Sequence, residues 1–456
     1  MFDRSQLASN LGVALGTLVS RLTGLVRVIV FAAVIGQTAL ADAFDIGNNA
    51  PNVVYELLLG GTLAAALVPL FTQFHQRNDR EATAAVFGVS LLGAAAITAI
   101  AVLLAPWIFK LYSLSPAADA EEFHRLGSAL TRVFLLQIFF YALNALAAAA
   151  LNARERFIAA AWAPVASNLV AIATLAIIWS SHSGGAVILA DAPIGSQLFW
   201  WFSAGPTAGI AVMALIVFAV GIRVGAVPTP RLRLSHPAVR QMLSLSGWAV
   251  GYIAANQVAL VVVKNLAEPG SGQLDAYAKA MTIFQLPHGL LAVTIATTSA
   301  PLLARAVANN DAVSFATRFA ANARMTVLLT LPCSIVLFLF AEDVVRLLLG
   351  WGAFDSEAVR LTADALSGLS LGLVGFSLYL FVLRGFYSHG DTRTPFFINV
   401  LENALNVVFA LALVGRYGVH GLGVAFALAY LISAVIAVGM LRRAHGTPGL
   451  LGLLRR

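Results

Sequence analysis

The sequence predicts an all-α integral membrane protein of about twelve transmembrane helices in two six-helix lobes. Hydrophobic residues make up 60% of the 456 residues and charged ones 11%, at a mean hydropathy of +0.86. A soluble domain does not bury that much apolar surface, whereas a helix satisfies its own backbone in lipid and spans it with about 20 apolar residues. Basic residues recur at alternate connections, and the stretch richest in Pro and Arg falls halfway along the chain.

Apolar segments lie at roughly 11–36, 46–75, 84–112, 126–151, 158–180, 198–223, 239–264, 279–304, 325–349, 361–388, 396–415 and 419–441. Asp3 and Arg4 precede the first without a cleavage pattern, so this helix is expected to be retained. It contains Ser20-Arg21-Leu22-Thr23-Gly24-Leu25-Val26-Arg27 well inside its apolar run. A buried Arg costs roughly 2.5–3.5 kcal/mol on the insertion scale, so each should face a partner or water. At about 100° per residue Arg21 and Gly24 share a face and Arg27 lies about 120° away, which lets both cations border one cavity. Snorkelling or a structural ion pair is the alternative reading.

The second span is the most informative. Asp42, Asp45, Asn49, Asn52 and Glu56 follow one another at steps of three or four residues and form one polar stripe on an otherwise apolar helix. In lipid such a stripe must line an aqueous cavity or meet Arg21 and Arg27; interhelical ion pairing without transport is the plainer reading. Pro51 and Gly60-Gly61 allow this helix to bend. After the third span the loop carries Asp119-Ala120-Glu121-Glu122, and the connections on this side hold few cations (Lys110, Arg125, Arg346, Arg360, Arg416). The opposite connections carry Arg77, Arg80, Arg154, Arg156, Arg223, Arg231, Arg233 and Arg240, and Arg442 and Arg443 follow the last span. By the positive-inside rule, an even span count then puts both termini in the cytoplasm. The net charge of +7 is therefore topology, and the expected surroundings are membrane lipids with no nucleic acid.

Between the sixth and seventh spans, Ala226 to Pro237 reads as a cytoplasmic linker. The expected organisation is an N-terminal lobe 1–223, a linker 224–238 and a C-terminal lobe 239–456. The seventh span holds Asn256-Gln257 after a Gly247–Gly251 close-packing motif. In the eighth, Leu286-Pro287-His288-Gly289 and then Pro301 echo Ala50-Pro51-Asn52 and then Pro69 of the second; Lys279 could reach a cavity. Cys333, the single cysteine, lies in the apolar ninth segment, so no disulfide within the chain is expected and its role is packing. The junction from Arg384 to Pro395, leading to Asn403, echoes Leu151 to Arg156, leading to Pro164 and Asn168. These echoes lie six spans apart, as in duplicated transporters that bind substrate between their halves. In the eleventh span Asn399, Glu402, Asn403 and Asn406 occupy roughly one face, suited to a coupling proton or cation or to helix–helix hydrogen bonding.

Chemistry for catalysis is missing. The chain has no Gly-Lys-Ser/Thr phosphate loop, no HExxH, no Cys pair and no loop long enough for a catalytic domain, so no enzyme activity, cofactor or metal is expected. A membrane transferase would have Asp391-Thr392-Arg393 as its nearest candidate, and a helix-connecting turn explains those residues more cheaply.

With these residues in view, the chain from about 10 to 440 resembles the MurJ/MviN family of lipid II flippases, of the MOP exporter superfamily that also holds the MATE exporters. The resemblance is carried by Ser20 to Arg27, Ala41-Asp42-Ala43-Phe44, Pro51-Asn52 and Val68-Pro69, and supported by Gln285 to Gly289 and Phe386 to Pro395. It implies two six-helix lobes alternating in access across the bacterial cytoplasmic membrane, and an undecaprenyl-diphosphate-linked peptidoglycan precursor as cargo. Arg21, Arg27 and Asp42 match family positions tied to the central cavity, where guanidinium would meet diphosphate. Asn52, Glu56 and Lys279 are further substrate-binding candidates, and Asn256, Glu402 and Asn406 are candidates for a coupling ion. Cell-wall synthesis proteins are the implied partners. The chain departs from the family at Val28, at Tyr55-Glu56 and at Gly60, where family members often carry charged residues, and many members have two further helices. A less cationic cavity is therefore expected. Alternatives are a polysaccharide-repeat or multidrug exporter of the same superfamily, or a non-transporting scaffold for envelope synthesis.

Overall fold

The computed structural model describes the backbone of residues 4–58, 62–182, 185–244 and 247–447, and the side chains of these residues except 4–10, 56–66 and 243–253. The described residues are helical almost throughout and form two compact units. Unit 1 comprises residues 1–253 with 351–354, and unit 2 comprises 254–350 with the remainder from 355 onward.

Unit 1 contains α1 (Arg4–Ile35), α2 (Ala39–Leu58), α3 (Thr62–Gln76), α4 (Arg80–Leu111), α5 (Ala120–Leu135), α6 (Gln137–Asn152), α7 (Ile158–Ser181), α8 (Gln197–Arg223) and α9 (Pro237–Ser244). Asp residues fix where several helices begin. Asp79 accepts a hydrogen bond from Ala82 N at 2.8 Å to cap α4, and Asp119 accepts one from Glu122 N at 2.9 Å to cap α5. The acidic stretch expected in a loop therefore forms the start of α5, where carboxylates complement the positive helix end. Helices in lipid gain little from apolar burial and associate by close packing. Small residues provide it: a Cβ on Gly205 of α8 would lie 2.5 Å from Thr174 Oγ1 of α7, and one on Gly47 of α2 would lie 2.9 Å from Thr131 Oγ1 of α5. Toward the α3–α4 end, Phe71, Phe74 and Phe87 form an aromatic core with Leu146, Leu151 and Met213.

The Pro- and Arg-rich stretch is non-helical and packs on unit 1. Arg231 N donates to Ala84 O at 2.9 Å, and Gly88 of α4 admits the Arg231 backbone, which a Cβ would meet at 2.2 Å. Arg233 forms an ion pair with Glu81.

Unit 2 holds most of α10 (Gly247–Leu266), followed by α11 (Gln273–Pro287), α12 (Val293–Ala308), α13 (Ala312–Leu339), α14 (Ala341–Leu349), α15 (Ser356–Ser370), α16 (Leu373–Ser388) and α17 (Arg393–His445). A π-helical turn, His288–Ala292, joins α11 to α12 directly after Pro287, which cannot donate its backbone N–H. The ninth segment begins earlier than hydropathy places it. Asp311 caps α13 through Ser314 N at 2.8 Å, so that span runs Ala312–Leu339 and the residues after it form the short amphipathic α14. A straight helix of the length of α17 would extend about 80 Å, far beyond a core of ~30 Å. Gly418 breaks it, with φ 52° and ψ −137°, and so separates the last two expected spans.

Among the described residues, eight helices are long and apolar enough to cross a membrane, and nine when bent α15–α16 is counted as one span. The expected spans at 46–75 and 239–264 run through residues outside those described.

Candidate functional site

In unit 1, polar groups from three helices meet at Tyr141 of α6. Its phenol lies beside the Asn52 side chain of α2 and the guanidinium of Arg27 on α1. Arg27 is half-buried and Arg21, nearly two turns earlier, is exposed. The Tyr141 ring also packs against Tyr55 at 5.7 Å between centroids. This corner thus presents a guanidinium, a phenol and a carboxamide framed by aromatic surface. α7 holds this face of α1 in place: Asn168 Nδ2 donates to Ser20 O and to Thr23 Oγ1, each at 3.1 Å.

The stripe on α2 divides into two environments. Asp42 is fully buried in the packing of the helix start, where a carboxylate persists only with partners, and it is not free. Asp45 is half-buried, and Asn49 Nδ2 donates to its Oδ1 at 2.7 Å. Gln137 Nε2 donates to Asn48 Oδ1 at 3.2 Å, a second polar link between α2 and α6. The structure therefore brings Arg27 and Asn52 to one node, with Arg21 further along α1 and Asp42 in the interior. The Glu56 side chain lies outside the described residues. Tyr141 and Gln137 were not singled out from sequence: one sits in the run Phe139-Phe140-Tyr141, the other ends an apolar stretch, and neither breaks the hydropathy pattern.

Unit 2 contains a second polar cluster. Asn256 Oδ1 on α10 accepts from Asn399 Nδ2 at 3.0 Å and from Asn403 Nδ2 at 2.7 Å, both on α17. Glu402 is buried at 2% exposure with Tyr277 of α11 in its electrostatic reach, and Asn406 is buried with an Oδ1 that meets no donor. The Asn399 and Gln257 side-chain oxygens are likewise buried without donors. This part of unit 2 thus holds a buried carboxylate and several amide oxygens on α10 and α17, groups chemically suited to a small hard cation or a proton. Lys279, expected to reach a cavity, is buried and forms an ion pair with Asp275 one turn earlier on α11. His288 hydrogen-bonds Ser377 at 3.0 Å and packs on Phe376, a packing role.

Two units of long apolar helices with cations and amides inside them define, among the described residues, a polytopic helical membrane protein. It is similar in fold to a solved lipid II flippase MurJ in an inward-closed conformation, with a TM-score of 0.77 and 20% identity over 97% of this chain and 89% of that one. It is also similar to a multidrug-resistance MATE family transporter in an inward-facing conformation, with a TM-score of 0.75 and 16% identity over 94% of each chain. The family model described as lipid II flippase MurJ matches residues 31–454. A probable lipid II flippase MurJ from Rhizobium meliloti is 31% identical over 428 residues, covering 92% of this chain and 77% of the relative. The chain belongs to the lipid II flippase MurJ family.

Proposed function

We propose that this chain moves lipid II across the bacterial cytoplasmic membrane by alternating access, with the lipid diphosphate held by Arg21 and Arg27. The observation that carries the reading is Arg27 within a transmembrane helix beside Tyr141, in a chain of this family. Guanidinium stays charged in a low dielectric and offers a planar fork of donors that matches phosphate oxygens. Packing of the Tyr141 ring on Tyr55 restrains the phenol next to that fork, so less ordering is needed when the diphosphate arrives. Asp42, Asp45 and Glu56 balance the cations, which lets the headgroup leave as well as enter. Lys279 joins this scheme through its pair with Asp275 and not as a free ligand to the cargo.

Coupling belongs to Asn256, Glu402 and Asn406. Proton or cation uptake there would neutralise a carboxylate in a low dielectric and shift the balance between two conformations. The lobes are 1–223 and 239–456, joined by 224–238. Both termini are cytoplasmic, on the ground of the basic connections. Enzymes that make lipid II and enzymes that consume it are the partners the reaction implies.

Proteoliposomes carrying the chain, under an imposed potential and ion gradient, test this reading. They should translocate fluorescent lipid II and should pass the corresponding lipid monophosphate at least about tenfold more slowly, as expected for loss of charge-assisted hydrogen bonds. Equal rates for the two lipids, or none above empty vesicles, would contradict it.

A further inference from the structure

A cavity of about 120 Å³ opens between the end of α3, the start of α4 and the end of α6 in unit 1, well above the ~10–15 Å³ that admits one water. Its floor is apolar: Phe71 and Phe74 are nearly fully buried in the aromatic core. Its rim is cationic, with Arg80, Arg154 and His75 around it.

Neither guanidinium forms an ion pair among the described residues. Arg154 Nη1 donates to a backbone carbonyl, Val224 O, at 3.0 Å, which holds the side chain in place and leaves its charge uncompensated. Burial and then the neighbouring Arg80 hold Arg154 below the usual guanidinium range, so two like charges lie close together. Of the acidic groups nearby, Glu81 pairs with Arg233, and Asp79, also on the rim, caps α4 through Ala82 N and stays a carboxylate, so the two guanidiniums leave the rim with a net positive charge. Two neighbouring guanidiniums, an imidazole and an apolar floor form a receptor for a tetrahedral oxyanion attached to a small apolar body.

We infer that the Arg80–Arg154 cavity binds a phosphate group, carried by an acidic lipid headgroup or free in solution. The cavity is separate from the Arg27–Tyr141 node, and the inference does not depend on lipid II being the cargo.

The test uses the full chain in a neutral detergent at fixed ionic strength, titrated with dihexanoyl phosphatidylglycerol, dihexanoyl phosphatidylcholine and inorganic phosphate. Phosphatidylglycerol should bind at least about tenfold more tightly than phosphatidylcholine, and Arg80→Gln/Arg154→Gln should weaken it about tenfold or more. The control Arg443→Gln, an exposed cation elsewhere, should change binding less than about twofold, as for a screened surface charge. Displacement of phosphatidylglycerol by inorganic phosphate identifies free phosphate as a sufficient ligand; no displacement identifies the lipid headgroup. Equal binding of the two lipids by the unmodified chain overturns the inference without recourse to any variant. So does a folded Arg80→Gln/Arg154→Gln protein that binds as the unmodified chain does, or an equal loss in the control.

Discussion

Tyr141 shows how a few polar atoms organise an apolar bundle. Its hydroxyl lies beside both Asn52 of α2 and Arg27 of α1. Tyr141→Phe keeps the ring and its packing on Tyr55 while removing the hydroxyl that would donate to the bound diphosphate. Loss of one such hydrogen bond, at about 1 kcal/mol, should lower lipid II affinity about fivefold. Unchanged affinity in a titration of the purified variant would remove Tyr141 from the binding node. The partners of Tyr141 were visible in the sequence because charge and amide groups interrupt a lipid-length apolar run, and their spacing of three and four places them on one helix face. Tyr141 was hidden because an aromatic side chain with one polar atom fits an apolar run as well as Phe does. Lys279 misled for the related reason that sequence shows a cation and not its neighbour: Asp275, one turn away, already holds it.

At the scale of elements, the helices follow hydropathy while their ends follow caps. Asp119 and Asp311 start α5 and α13 ahead of the apolar runs they lead into, because an N-cap needs a side-chain oxygen and not a hydrophobic residue. The merged α17 is the converse case: helix continues through Arg416, which the sequence places in a connection, and the halves part at the unusual backbone of Gly418. Close packing between helices is the least legible feature in sequence, since small residues are common everywhere in membrane helices. Gly205 is one whose role the structure defines. Gly205→Val would drive a side chain into Thr174 and should destabilise unit 1 by about 1–3 kcal/mol, the range for overpacking. Reversible unfolding in mixed micelles measures this. A variant as stable as the unmodified protein would mean that α7 and α8 can separate at no cost.

For the whole molecule, the proposed division of labour is between a cationic node in unit 1 and a carboxylate–amide cluster in unit 2. Movement of cargo against its gradient needs both kinds of site, because a cargo site alone only equilibrates the cargo and a coupling site alone moves none. The family resemblance was legible in short motifs of α1 and α2, whereas the family-model match begins at residue 31, after both arginines. The roles of Arg21 and Arg27 are therefore the claim most in need of direct measurement. That measurement is transbilayer movement of fluorescent lipid II in proteoliposomes, comparing the unmodified chain with Arg21→Gln/Arg27→Gln at equal reconstituted amounts. The account predicts movement by the unmodified chain and a loss of about a hundredfold in the charge-neutral variant, the effect of removing two charge-assisted contacts. Movement at the same rate by both proteins would contradict it.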